Sequence, residues 1–438
     1  MFTVPEEKSL SVELIEDAIK YNEKDRSRFD TLENYYRGEH PILKRKKPPT
    51  AKNSRIVVNH AKFITDTNVG YLLGSTPSYT VADEKYDIAP IMDEYKRQTI
   101  SDTDHEIAKD VSIFGKQYEL IYNIENEVKS KDIDVRNCIC VYDDTVEHKK
   151  MFGIIYKLGK QKDEFENIIV YDNESKYECA VDKKIVIDSE PEKHLFEKVP
   201  IIEYRNNSEI QGDFEQVVSL IDAYNLLQSD RINDKEQLVE AILVGYGVKL
   251  EKPQMSELLT DRTLFGLPIN SKVDYLIKQM DEGQVDILRK TLENDIHKIS
   301  MTPNMSDEQF IGNASGVAIK YKLLLFEQNV TNKERYFEKG LLERFELYNN
   351  YLINIKKSVE IPLYEVDVVF KRNLPQNDLE ISQMISNLSP YIDDETLVER
   401  LSFIGNPSEV VEKNKAEDRE KQKFVARQFG EAQISETL

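Results

Sequence analysis

VPIIEYRNNSEIQGDFEQVVSLIDAYNLLQSDRINDKEQLVEAILVGYG, from Val199 to Gly247, is the stretch that decides the fold. It opens on a short apolar run, Val199 to Tyr204, that reads as a strand. A cluster of turn formers follows, Asn206, Asn207 and Gly212. From Asp213 to about Val244 the chain is free of proline and patterned as a helix, and Gly245 and Gly247 are suited to stop it. At 1.5 Å per residue that helix would be roughly 45–50 Å long, well beyond the usual three turns. Strand, polar turn and very long helix describe a beam rather than a catalytic pocket.

Downstream, a compact α/β piece interrupts the helices. GVKLEK reads as a strand, MSELLTD as a short helix, and LFGLPI and VDYLIKQ as two more strands. Helix resumes from Glu282 to Ser300, with an apolar stripe at Val285, Leu288, Leu292, Ile296 and Ile299 in steps of three and four. Pro303 ends it. The segment PNMSDEQFIGNASG, Pro303 to Gly316, is rich in turn formers. Ser306 and Gln309 have capping-box spacing there, and Ser315 is placed to cap another helix. That helix, beginning at Gly316, runs some forty residues without proline, roughly 60 Å, and Gly340 in its interior would be a natural bend. After Pro362 a strand is expected from Glu365 to Lys371, then short helices to Phe403. A highly charged segment, Glu409 to Gln428, closes the chain.

Upstream, residues 8–36 are patterned as a helix ending at Gly38 and Pro41. The segment LKRKKPPTAKN, Leu43 to Asn53, is a basic, proline-broken loop and the densest positive cluster of the chain. It is either a solvated loop or a contact for nucleic acid or an acidic partner. A helix over Val57 to Gly74 precedes an extended Pro-x-Tyr segment, Pro77 to Tyr79. Another, Asp87 to Ile113, closes at Gly115. From there to Tyr204 runs such as YELIYNI, CICVYDD, FGIIYKLG and NIIVYD are β-branched and aromatic, so a mainly β subdomain is expected.

Composition limits the function classes. The chain has 438 residues, 59 basic and 80 acidic, for a net charge of −21. Two to four domains or subdomains fit that length. Affinity for duplex DNA comes largely from Lys and Arg on phosphates, so the charge argues against sequence-specific binding. It suits either an ordinary solvated acidic surface or an acidic lumen that keeps DNA from sticking. No apolar run approaches the ~20 residues of a membrane span, and MFTVPEEKSL lacks the regions of a secretory signal. Three cysteines cannot build a disulfide framework. Cys138 and Cys140, two apart in an apparent strand, share one face and read as small core residues.

In number and order these segments resemble the bacteriophage portal proteins, the rings through which DNA enters a capsid, in the branch of long-tailed phages of Gram-positive hosts. The resemblance is strongest at Asn59–Tyr79, Val199–Gly245 and Asp295–Leu342. It implies an α+β, predominantly helical portal fold: a wing (1–207), a first stem helix (208–247), a small α/β clip (248–280) and a second stem helix (281–302). A tunnel loop (303–316), a long wing helix with its returning strand (317–375) and a reduced crown or frayed tail (376–438) complete it. It further implies a dodecameric ring at one capsid vertex, assembled in the host cytoplasm. The ring would carry double-stranded DNA without sequence-specific binding, and its partners would be terminase large subunit, major capsid and scaffolding proteins and a head-completion adaptor. Channel candidates are then Asn304, Ser306, Asp307, Gln309, Asn313 and Ser315. Docking candidates in the clip are Lys249, Lys252, Asp261 and Arg262; Lys44, Arg45, Lys46 and Lys47 of the basic loop are the candidates for a basic contact, should that loop be more than solvated surface. No catalytic, metal or cofactor residue is implied.

The common enzyme signatures do not occur. Gly115–Lys116 and Gly159–Lys160 lack both the upstream glycine and the hydroxyl residue of a P-loop. H-E-x-x-H, G-x-S-x-G and paired C-x-x-C are likewise missing. The alternatives are another ring component of the head–tail connector, a metal-dependent nuclease with dispersed carboxylates, or a cytosolic helical scaffold.

Overall fold

A computed structural model describes residues 1–49, 51–83, 85–125, 127–159, 165–182, 184–187, 190–239, 242–247, 272–276, 282–304, 316–355, 357–372, 378–398 and 413–414. The helices are α1 (Val12–Glu23), α2 (Arg26–Arg37), α3 (His60–Leu72), α4 (Ala89–Arg97), α5 (Ile100–Phe114), α6 (Val218–Val239), α7 (Glu282–Ile299), α8 (Gly316–Asn354), α9 (Asp378–Leu388) and α10 (Asp394–Val398). The strands are β1 (Phe2–Val4), β2 (Ser78–Val81), β3 (Lys116–Ile124), β4 (Glu127–Ile133), β5 (Cys138–Asp143), β6 (Lys150–Leu158), β7 (Phe165–Tyr171) and β8 (Ser175–Asp182). They continue with β9 (Lys184–Ile187), β10 (Glu192–Lys193), β11 (Ile201–Arg205), β12 (Ile242–Tyr246), β13 (Lys272–Leu276) and β14 (Val366–Val369). Mixed helix and sheet is therefore the fold class. The chain divides into a larger unit, 1–307 with 322–372, and a smaller one, 308–321 with 373–438, whose described part is helical.

The β-rich middle forms as its composition requires. One sheet runs β1-β5-β6-β7-β8-β10, with β9 also on β8, and a second runs β11-β3-β4. Strand β5 is buried along its whole length. Its alternation splits two cores: Cys138 and Cys140 face the Phe29, Ile64, Phe114 and Ile201 cluster. Ile139 and Val141 face the other cluster, where Leu14, Ile15, Ala18 and Ile19 of α1 cover the sheet. Both cysteines are free, and their thiols are core groups as expected. Burial pushes the Cys140 thiol up to about 12, so it packs as an inert hydrophobe.

Several boundaries differ from the expectation, each for a local reason. The helix expected over 8–36 is two, because the Asn22 amide at the end of α1 donates to the carbonyls of Val135 and Cys138 and ties that turn into the sheet. The helix expected over 87–113 is also two. Thr99 sits at φ 49, and the Gln98 side chain turns aside to accept the Ser130 amide of β4 at 3.1 Å. The long helix expected to Val244 ends at Val239, about 33 Å at 1.5 Å per residue. Beyond it, Ile242–Tyr246 pairs antiparallel with Lys272–Leu276, so β-branched residues in the run Ala241–Val244 serve a strand.

The strand expected at 365–371 is shorter, Val366–Val369, and pairs with Ser78–Val81. The helices α3, α7 and α8 match their expected spans closely, α8 with 39 residues. Gly340 serves close packing there: a Cβ would stand 2.3 Å from Cε1 of the Tyr204 ring. Gly115 ends α5 at φ +85, with the Ile210 carbonyl where a Cβ would be. GVKLEK, MSELLTD and LFGLPI fall wholly or almost wholly outside the described residues, as does most of Glu409–Gln428.

Candidate functional site

The beam that dominates the sequence is held by a polar ladder. Asn225, Ser229 and Asn233 stand four residues apart on α6, so they share one face and rise about 6 Å per step. Their side chains accept the backbone N–H groups of Val58 at 2.8 Å, Ile56 at 2.9 Å and Ser54 at 2.7 Å. Alternate residues of an extended chain are about 6.6 Å apart, so the two periods match over three antiparallel rungs. All three helix side chains are buried. Asn and Ser are poor helix formers because they seek backbone partners, and here that tendency is used to seat a second segment. The spacing of four was readable in the sequence; the partner strand was not.

The basic loop joins the same helix. Arg45 and Lys47 both bond the Asp230 carboxylate, Lys47 at 3.0 Å. Burial works to raise that carboxyl, and the bonds from Arg45, Lys47 and Asn233 outweigh it and hold it below its ordinary value. Lys44 and Lys46 are exposed. Half of the expected basic contact is therefore spent inside the chain, and two lysines remain outward.

Helix α7 packs on α6 around a group of rings. His60 of α3 lies edge-on to Tyr224 at 4.9 Å and to His297 at 5.8 Å, and Phe63 meets His297 at 5.6 Å. Within the apolar stripe of α7 only Ile296 is buried, with Leu292 packed partly against the core. Leu288 and Ile299 remain about half exposed (49% and 46%) and Ile287 more so (66%). On α6, Leu226 and Ile232 are exposed too. Together they leave apolar side chains exposed on both helices.

The ring cluster also sets a pH response. Burial, helped by the neighbouring His297, lowers His60 to about 4, and burial also lowers His297 and His40. Between pH 6.5 and 4 the unfolded chain takes up the His60 proton while the folded chain refuses it, so stability is full above 6.5 and falls on acidification. Asp110, pushed up by burial to about 7, acts in the opposite sense over that window. Comparison with His60→Phe cancels the Asp110 contribution. Between pH 7 and 4.5 the native sequence should lose roughly 2 kcal/mol more than H60F, read by urea unfolding at both pH values. Equal losses would contradict the assignment.

At the end of α7 the chain turns with Met301 at φ 52. Thr302 is buried, and the Asn304 amide returns to Glu293 at 3.1 Å. Asn304 is thus a fixed side chain at the loop's entrance. Ser306, Asp307, Gln309, Asn313 and Ser315 lie outside the described residues, as do Lys249, Lys252, Asp261 and Arg262. Among the described residues, no group of three or more His, Cys, Asp or Glu side chains is placed to hold a metal. Nor is any described helix long and apolar enough to cross a membrane.

The described parts are a strapped helix, a second helix with exposed apolar side chains, and a fixed turn at Met301–Asn304. A family model described as phage portal protein, SPP1 Gp6-like, matches residues 15–423. The chain belongs to that family of phage portal proteins, which are structural components of the virion. It is similar to the portal protein of Bacillus phage SPP1, with 24% identity over 391 residues, covering 82% of this chain and 75% of that one. It is also similar to the portal protein of Clostridium phage phiCD119, with 23% identity over 241 residues, covering 48% and 49%.

Proposed function

We propose that the chain is the subunit of a closed ring of about twelve copies at one capsid vertex. The ring is the channel for DNA packaging and ejection, and the docking site for terminase and head-completion proteins. The observation that carries this reading is the set of exposed apolar side chains on α7, with Ile287, Leu288 and Ile299 outward while Ile296 is buried and Val285 and Leu292 are partly covered. In a ring, each copy's ridge is covered by its neighbour. Residues 208–247 and 281–302 act as the stem, 248–280 as the clip that carries Lys249, Lys252, Asp261 and Arg262 to the motor, and 1–207 with α8 as the wing. The net charge of −21 per chain suits a passage that surrounds DNA without gripping it.

The segment 303–316 is the tunnel loop. Its Asn, Ser and Gln side chains supply transient hydrogen bonds, while Asp307 and Glu308 oppose tight phosphate binding. Replacing Met305–Asn313 by a short Gly-Ser linker should leave rings assembled, because it changes no residue of α7 or α8. Packaged or retained DNA should fall at least tenfold, measured as nuclease-protected genomes per particle. Normal packaging and retention by such rings would remove the loop from the channel's working parts.

A further inference from the structure

The two helices that flank segment 303–316 meet at one side chain. Asn68 lies in α3 and is 2% exposed. Its Nδ2 donates to the Thr302 hydroxyl at 3.1 Å and to the Ile64 carbonyl at 2.9 Å, while its Oδ1 accepts from the Lys333 ammonium at 2.6 Å. Thr302 lies in the turn that ends α7, just before Asn304, and Lys333 belongs to α8, the helix on which the chain returns. One amide therefore bridges the turn after α7 and the middle of α8.

The bridge is anchored rather than floating. Lys333 is 6% exposed and donates onward to Asp213 at 2.5 Å. Asp213 also accepts from Ser112 at 2.5 Å and from Asn206 at 2.7 Å, at the head of the segment leading into α6. Thr302 is fixed from its own side as well: its amide bonds the His297 carbonyl, and its carbonyl bonds the His297 ring at 3.1 Å. Three elements that carry the loop and the beam thus converge on a buried polar chain, Thr302–Asn68–Lys333–Asp213. Buried polar groups in such a chain must all be satisfied together, so displacing one displaces its neighbours.

We infer that Asn68 is a positioning residue that locks the turn after α7 to the part of α8 around Lys333, so that these two stretches, one before and one after segment 303–316 in sequence, move as one body. The inference deepens the portal reading, in which that segment is the tunnel loop. It assigns the setting of the loop to a side chain more than 230 residues away in sequence, and to no residue of the loop itself.

The test is hydrogen–deuterium exchange on the purified full-length protein. Thr302→Val keeps the shape of the side chain and removes the hydroxyl that Asn68 bonds, leaving Lys333 and Asp213 chemically intact. The amides of residues 299–302 and of Asn304 should exchange faster, and amides 330–337 of α8 should also exchange at least fivefold faster. Thr31→Val, which removes an exposed helix hydroxyl bonded only within α2, should change neither region. Lys333→Met is the reciprocal variant and should speed exchange at 299–304. Should K333M fail to fold, T302V decides alone.

Exchange confined to residues 299–304 in T302V would overturn the inference, since a merely local role predicts that result. The readout involves no DNA. A coupled response with normal DNA retention in T302V particles would uphold the lock and count against the channel role of the loop.

Discussion

Replacing Arg344 by methionine should destabilise the larger unit by about 3–5 kcal/mol, the usual cost of removing one partner from a buried charge cluster. Arg344 lies in α8 and is fully buried. Its Nε bonds both oxygens of Glu119 in β3 at 2.9 Å, and its Nη1 bonds Asp104 in α5. Glu119 also accepts from the Tyr204 hydroxyl of β11 at 2.7 Å. One guanidinium therefore joins the long helix to a strand and to a second helix. Its loss leaves two carboxylates in a dry interior. Burial already pushes the Asp104 carboxyl above its ordinary value against the pull of Arg344, and the variant removes that pull. The cost should shrink when Glu119→Gln is combined with R344M, because one orphaned charge disappears. Urea unfolding of the two single variants and the double variant reads this directly. Additive costs would show that the three groups do not act as a unit.

Charging the ridge of α7 should have the largest effect on assembly and almost none on the fold of the single chain. Ile287 and Leu288 are 66% and 49% exposed, so glutamate at both places in I287E/L288E costs the isolated chain little. In the proposed ring the same positions would be covered at every junction. Burying two such side chains stabilises each contact by about 3 kcal/mol, at 1.5–3 kcal/mol per fully buried side chain scaled to their partial exposure, and the added charges repel. At 1.4 kcal/mol per tenfold, the assembled fraction should fall about a hundredfold or more at micromolar protein. The melting temperature of the monomer should stay within a few degrees. Light scattering after size exclusion separates the two quantities. Rings that persist in I287E/L288E would place the subunit contact elsewhere.

How much of this was legible depended on whether local pattern or distant partner set the outcome. The helices α3, α7 and α8 follow from unbroken periodicity, and Gly115 from the need for a positive φ. The β-rich middle follows from runs of β-branched and aromatic residues. By contrast, the end of α6 was not readable, since Ile242 and Val244 suit a helix or a strand equally until the strand at Lys272–Leu276 claims them. The breaks at Lys24–Asp25 and Gln98–Thr99 likewise depend on Asn22 and Gln98 finding backbone partners in the sheets.

The same division holds for the site. The stripe of α7 was visible as a stripe, yet its period could not say that Leu288 and Ile299 would stay exposed while Ile296 is buried. The basic cluster was visible, but the partner of Arg45 and Lys47 is Asp230, more than 180 residues away. Asn225, Ser229 and Asn233 offered a polar spacing of four that a beam does not need on its own account. That spacing was the one local sign of the ladder.

The central claim is that beams with uncovered ridges close into a ring. Negative-stain imaging of the purified protein, paired with native mass spectrometry, tests it most directly. The account predicts rings of about a dozen subunits with a central hole wide enough for duplex DNA. A protein that stays strictly monomeric, alone and with scaffolding protein and terminase added, would contradict it.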